Sequence, residues 1–101
     1  MKNITIKDMQ NAILKIDNSK DSIDKYFYKL TEETGELAKA MRKNIRLENS
    51  ETIKGTVEEE LYDVIYYTIC IANMLDIDLE ECAKLKEKIN EEKYNRKSIF
   101  E

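Results

Sequence analysis

Histidine, proline and tryptophan are absent from this 101-residue sequence, and glycine and cysteine occur only twice each. Without histidine there is no Ser-His-Asp or Cys-His nucleophilic system, no imidazole base and no zinc site of the usual Cys/His kind. Any acid-base or metal chemistry must therefore run on carboxylates. Without proline, and with only Gly35 and Gly55, the chain lacks the turn residues that punctuate all-β domains. There is no basic block either: 17 Lys and Arg stand against 21 Asp and Glu, a net charge of −4, with no stripe suited to displacing phosphate counterions. A nucleic-acid polymer is not an expected partner. The longest charge-free stretch, Val64 to Leu75, falls well short of the roughly 20 residues of a membrane span. It reads as a buried helix core. Cys70 and Cys82 lie outside any Cys-x-x-Cys pattern, and no apolar signal region follows the opening residues, so a reduced, cytoplasmic protein is expected.

What is abundant is Glu, Lys, Leu, Ala and Met, the residues of an all-α fold. A chain of this length buries only about 60–65% of the surface that its unfolded form exposes, so the core is modest and association would supplement it. Thr5 with Asp8 resembles a capping box ahead of a helix from Ile6 to Ile16, which Asp17, Asn18 and Ser19 end. A long second helix is expected from Asp21 or Ser22 to about Ile45, with Ile23, Tyr26, Phe27, Leu30, Leu37 and Met41 at helical spacing. The polar stretch from Leu47 to Gly55 holds a turn. Thr56 with Glu59 is a second capping-box candidate, for a helix reaching about Leu75, with Ser50 as an earlier possible start. Asp78 with Glu81 offers a third, for a helix to about Tyr94, after which the tail beyond Arg96 is expected to fray. No linker interrupts the pattern, and residues 1–101 read as one domain.

One internal echo stands out. The segment 32–37, EETGEL, is matched by 59–64, EELYDV: two acids, a two-residue gap, a third acid and an aliphatic residue. At about 100° per residue, Glu33 lies in line with Tyr26, Leu30, Leu37 and Ala40, with Glu36 at the edge of that apolar stripe. Glu60 is in register with Val57, Val64, Tyr67 and Ile71, and Asp63 is displaced by about a sixth of a turn. Position 48 is the midpoint both of 33 and 63 and of 36 and 60, so an antiparallel hairpin turning there brings Glu33 level with Asp63 and Glu36 level with Glu60. The ordinary reading of acids, as i, i+4 partners of Lys or as complements of a helix N-terminus, suffices for Glu32, Glu58 and Glu59. For the other four it fails, because unit charges about 5 Å apart repel by roughly 3 kcal/mol even at an effective dielectric near 20. All-oxygen ligands favour a hard ion, Mg²⁺ or Mn²⁺.

In the last helix Lys86, Asn90 and Lys93 share an edge at i, i+4 and i+7. Alone they are a solvated face; beside a carboxylate and metal cluster they become candidate phosphate ligands. Tyr67, one turn past Asp63, is an ordinary core aromatic by spacing, yet it stands at the rim of the acidic site, where its ring could stack on a base or sugar.

The stretch 30–40, LTEETGELAKA, followed by EELYDV at 59–64 and ANMLDIDLEE at 72–81, resembles the MazG-like, all-α nucleoside triphosphate pyrophosphohydrolase superfamily, whose paired signature here is Glu33-x-x-Glu36 and Glu60-x-x-Asp63. The resemblance implies a four-helix bundle-like fold completed by dimerisation or by dimers of dimers. It also implies a Mg²⁺-dependent hydrolase that splits a nucleotide between its α and β phosphorus to yield monophosphate and pyrophosphate. Glu33, Glu36, Glu60 and Asp63 would hold the metal, with Glu36 or Glu33 activating water. Lys86, Asn90 and Lys93 match the family's phosphate-binding Lys, Asn and Arg, with Lys in place of Arg, which loses bidentate contact. The Trp or His that relatives place near the base is missing. Two other readings stay open: a phosphoribosyl-ATP pyrophosphohydrolase of histidine biosynthesis, and a non-enzymatic helical interaction module whose acids bind a basic partner.

Overall fold

The structure, a computed structural model, describes residues 3–18 and 22–100. Four α-helices follow one another: α1 (Ile6–Ile16), α2 (Ile23–Lys43), α3 (Val57–Met74) and α4 (Leu79–Tyr94), with a 3-10 turn at Leu47–Asn49 and no strand among the described residues. Thr5 and Asp8 close a reciprocal capping box on α1. Ser22 caps α2, while Ser19 and Asp21, also considered at this junction, lie outside the described residues. Helix α2 stops at Lys43, short of Ile45, because Asn44 adopts the left-handed conformation (φ 53°) that ends many helices. At α3 the Thr56 hydroxyl accepts the Glu59 N–H, but the Glu59 carboxylate takes the N–H of Gly55, since that of Thr56 is already bonded to the Ile53 carbonyl. Gly55, at φ 78°, supplies the backbone turn ahead of this cap.

Helix α3 is central. It pairs with α2 as an antiparallel hairpin, clasped near the turn by the Val57 N–H donating to the Ile45 carbonyl and by Glu58, which accepts from Arg46 Nε (2.9 Å) and the Leu47 N–H (3.0 Å). Its other side is crossed by α1, where Ile13, Ile69 and Cys70 are buried under Met9, Tyr26, Tyr66 and Leu79. Ile65, on that side but nearer the turn, is 42% exposed. Helix α4 packs on α1, and its Leu85 and Ile89 remain more than half exposed. No described helix is long and apolar enough to cross a membrane.

Buried amides fix the junction of α1 with the α3–α4 connection. Gln10 Nε2 donates to Asn73 Oδ1 (3.1 Å) and to the Ile77 carbonyl (2.8 Å), Gln10 Oε1 accepts the Leu79 N–H, and Asn73 Nδ2 donates to the Gln10 carbonyl. Gln10→Ala is expected to lower stability by about 1–3 kcal/mol in urea denaturation, because it strands the Leu79 N–H and the Ile77 carbonyl without partners. An unchanged urea midpoint would show that water satisfies them as well.

The expected fraying after Arg96 is not what the structure shows. The Arg96 guanidinium pairs with buried Glu87, the Ser98 N–H donates to Glu91 (3.0 Å) and the Ile99 N–H donates to Glu87 (3.2 Å), so residues 96–99 fold back along α4. Acids one helical turn apart offer acceptors to a backbone that has left the helix, which hydrophobic spacing does not reveal.

Candidate active site

The hairpin brings three of the four motif acids together. Carboxylate oxygens of Glu33, Glu60 and Asp63 lie within 4.8 Å of one another. Glu36 is exposed and stands outside this trio. Lys29, an i, i+4 neighbour of Glu33, pairs instead with Glu32 (3.5 Å), leaving Glu33 to face α3. Glu60 is only 8% exposed, and its Oε2 is a buried oxygen with no hydrogen-bond partner among the described residues.

These placements set the electrostatics. Burial, then the hydrogen bond and charge of Glu33 and the charges of Asp63 and Glu59, push the Glu60 carboxyl up to about 7. Asp63 is raised as well, by burial and then by Glu33 and Glu59. Tyr67 is held protonated by burial, with Lys29 and Glu33 pulling it in opposite directions. An orphaned buried oxygen beside two further carboxylates is costly unless a cation answers it. An oxygen-only donor set fits a hard divalent ion, Mg²⁺ or Mn²⁺, better than a soft one.

The other expected residues are placed differently. Lys86, Asn90 and Lys93 lie on α4, where Asn90 Nδ2 donates to Glu87 (3.3 Å) and Lys93 sits over the Tyr94 ring. Among the described residues, none of their hydrogen bonds or ion pairs reaches the acid trio. Tyr67 does border it, and its ring lies 5.2 Å from that of Tyr66 and 6.3 Å from that of Tyr26.

Sequence reasoning missed Asp17. Its carboxylate accepts from the hydroxyls of Tyr26 and Tyr66 (2.8 Å for the latter) and from the Cys70 thiol (3.6 Å). The Tyr26 hydroxyl, followed by the Tyr66 hydroxyl and the Cys70 thiol, holds Asp17 below the ordinary carboxylate range against the opposing effect of burial. One signal was available: an acid at the C-terminal end of α1 opposes the helix dipole, so something else must hold it there.

Known proteins give the same picture. The profile of the MazG nucleotide pyrophosphohydrolase domain matches residues 21–96. The crystal structure of iMazG from Vibrio DAT 722, in its Ntag form, is 40% identical and superposes with a TM-score of 0.81 over 92% of this chain and 100% of its own. The Ctag form is 37% identical with a TM-score of 0.79, over 87% and 99%. The uncharacterized protein YpjD of Bacillus subtilis (strain 168) is 42% identical over 55 residues, 52% of this chain and 50% of its own length, so the match spans about half of that curated relative. With the domain profile covering α2 to α4 and iMazG matched along its whole length, the chain belongs to the MazG nucleotide pyrophosphohydrolase family, hydrolases that act on the phosphoric anhydrides of nucleotides.

Proposed function

We propose that this chain is a Mg²⁺-dependent nucleoside triphosphate pyrophosphohydrolase. It cleaves between the α and β phosphates of a (deoxy)nucleoside triphosphate, releasing monophosphate and pyrophosphate, through a single domain over residues 1–101 acting in the cytoplasm. The observation that carries this reading is Glu60, one of whose carboxylate oxygens, Oε2, is buried without a hydrogen-bond partner among the described residues, and whose carboxylate lies within 4.8 Å of those of Glu33 and Asp63. Glu33, Glu60 and Asp63 would hold the ion, with Glu36 reaching in from the exposed edge of the same stripe; Mn²⁺ suits the same oxygens. What a bound ion supplies is positive charge against the phosphate oxygens and a more acidic water. Glu36 or Glu33 accepts the proton of the attacking water. Lys86, Asn90 and Lys93 donate to phosphate oxygens, and Tyr67 lies against the sugar or base.

The test is pyrophosphate release from a panel of nucleotides that includes phosphoribosyl-ATP. Equal amounts of monophosphate and pyrophosphate are expected with millimolar Mg²⁺, and none with EDTA. Release of orthophosphate, or no release from any substrate, overturns the reading. The same ion is expected to raise the thermal midpoint, since at a hundred times its Kd a ligand that binds only the folded chain adds about 2.7 kcal/mol.

A homodimer, or a dimer of dimers, belongs to the same proposal. The buried apolar core is small, while Leu61, Ile65, Leu85 and Ile89 are exposed on α3 and α4. A second copy covering these faces both enlarges the core and encloses the phosphate-binding edge of α4. Light scattering is expected to give at least twice the chain mass, with a midpoint that falls on dilution. A stable monomer at micromolar concentration contradicts this.

A further inference from the structure

We propose that Glu87 is a positioning residue for the phosphate-binding edge of α4, fixing the Asn90 amide so that an arriving nucleotide meets a donor already in place. This deepens the hydrolase reading above and rests on it. Glu87 is the most deeply buried acid among the described residues, 4% exposed, and it stands on a different helix from the hairpin acids. A buried carboxylate without partners is costly, so its surroundings say what it is for. Asn90 Nδ2 (3.3 Å), the Ile99 N–H (3.2 Å) and both terminal nitrogens of Arg96 converge on it. The Arg96 hydrogen bonds, then those of Asn90 and Ile99, hold the carboxyl below its usual range against burial, so it is ionised at neutral pH.

Of the three side chains on this edge, Lys86 and Lys93 are exposed, whereas Asn90 is half-buried and anchored to a charged group. That anchor fixes which way the amide faces. An ionised carboxylate only accepts, so Nδ2 stays turned towards Glu87 and the amide oxygen is kept away from it. One Nδ2 hydrogen is engaged, and the other is left for a phosphate oxygen. Ordering a side chain during binding weakens affinity, and here the order exists before the ligand arrives.

A bare anion beside a phosphate would repel it. Arg96 removes that objection. The chain leaves α4 through Asn95 in the left-handed conformation (φ 49°) and returns the Arg96 guanidinium to Glu87, nine positions back. The Ser98 N–H on Glu91 (3.0 Å) and the Ile99 N–H on Glu87 keep the returning segment in place. The back-fold thus supplies the cation that lets a buried acid serve an anion-binding edge.

The sign of one substitution separates this from a bystander charge. Glu87→Gln removes a negative charge, so a bystander predicts unchanged or stronger action on an anionic substrate. Positioning predicts the reverse. In steady-state pyrophosphate release by the full chain with Mg²⁺, measured on every nucleotide of the panel above that wild type cleaves, Glu87→Gln is expected to lower kcat/KM by about three- to tenfold, the scale of ordering one side chain. In an Asn90→Ala background, itself impaired, the same substitution should cost less than about twofold, because the group it positions is gone. Arg96→Gln, which leaves α4 untouched, should reproduce much of the loss, and Arg96→Lys, which keeps a cation for Glu87, should restore most of it. This pair carries the test if circular dichroism shows Glu87→Gln unfolded. An unchanged or raised kcat/KM in the folded variants, or an equal loss with and without Asn90, overturns the role of Glu87 and leaves the hydrolase reading standing. No pyrophosphate from any nucleotide of the panel overturns both.

Discussion

Asp63→Asn is expected to reduce pyrophosphate release by at least about a hundredfold, the scale of removing one key electrostatic group from an active site. The amide keeps the size and hydrogen-bonding capacity of the side chain but removes a charge that sits within 4.8 Å of two other carboxylates. Secondary structure should be unaffected, because Asp63 lies on the hairpin face and caps nothing. The matched control is Glu58→Gln, on the first turn of the same helix. Glu58 clasps Arg46 and the Leu47 N–H at the turn, and the glutamine oxygen can still accept the latter, so the midpoint should fall a little while kcat and KM stay nearly as they were. Asp63→Asn activity within about threefold of wild type, or a loss in Glu58→Gln as large as that in Asp63→Asn, would remove the support for a metal site at the hairpin.

Glu60→Gln separates stability from function, because the two should move in opposite directions. In the metal-free protein the substitution removes a buried charge that repels its acidic neighbours and has one oxygen, Oε2, without a partner among the described residues, so stability should rise by about 1–3 kcal/mol. For a chain of about 100 residues each kcal/mol shifts the midpoint by about 4–8 °C. The stabilisation by Mg²⁺ and the pyrophosphate release should both disappear. There is a pH signature. The folded carboxyl is raised from the usual 4.5 to about 7, so the folded state holds a proton that the unfolded state has lost between those values. Its contribution to stability is present below about pH 4.5 and declines as the pH rises through 7. Differential scanning calorimetry in EDTA should therefore show the wild-type midpoint falling between pH 5 and 8, with a shallower fall in Glu60→Gln. A substitution that destabilises the metal-free protein at pH 8, where the wild-type charge is most fully present, contradicts the burial argument.

The helices were legible in the sequence because their determinants are local. Thr5, Thr56 and Asp78 each accept backbone N–H groups two or three residues on, and the apolar positions between them recur at a single period. The facing of Glu33 and Asp63 was legible for a related reason: two helices joined by one turn form a hairpin whose register follows from the position of that turn, here near residue 48. Helical angle also put Glu36 at the edge of its stripe, but how far the edge is covered depends on the radius and tilt of the neighbouring helix, and only the folded chain shows Glu36 exposed and outside the trio.

By itself, then, the sequence determined the all-α class, three of the four helix starts to the residue, the antiparallel α2–α3 hairpin and the facing of Glu33 and Asp63 across it, since each depends on contacts a few residues apart or on composition. Tertiary structure alone decided the rest. Asp17 meets Tyr66 across 49 positions, Gln10 meets Asn73 across 63, and the Lys7 N–H meets Glu80 across 73. Such hydrogen bonds leave no periodic trace, because a polar side chain that will be buried by a distant helix is indistinguishable along the chain from one that stays in water. The same holds for the direction taken by α4, whose packing partner, α1, lies some sixty positions earlier in the chain.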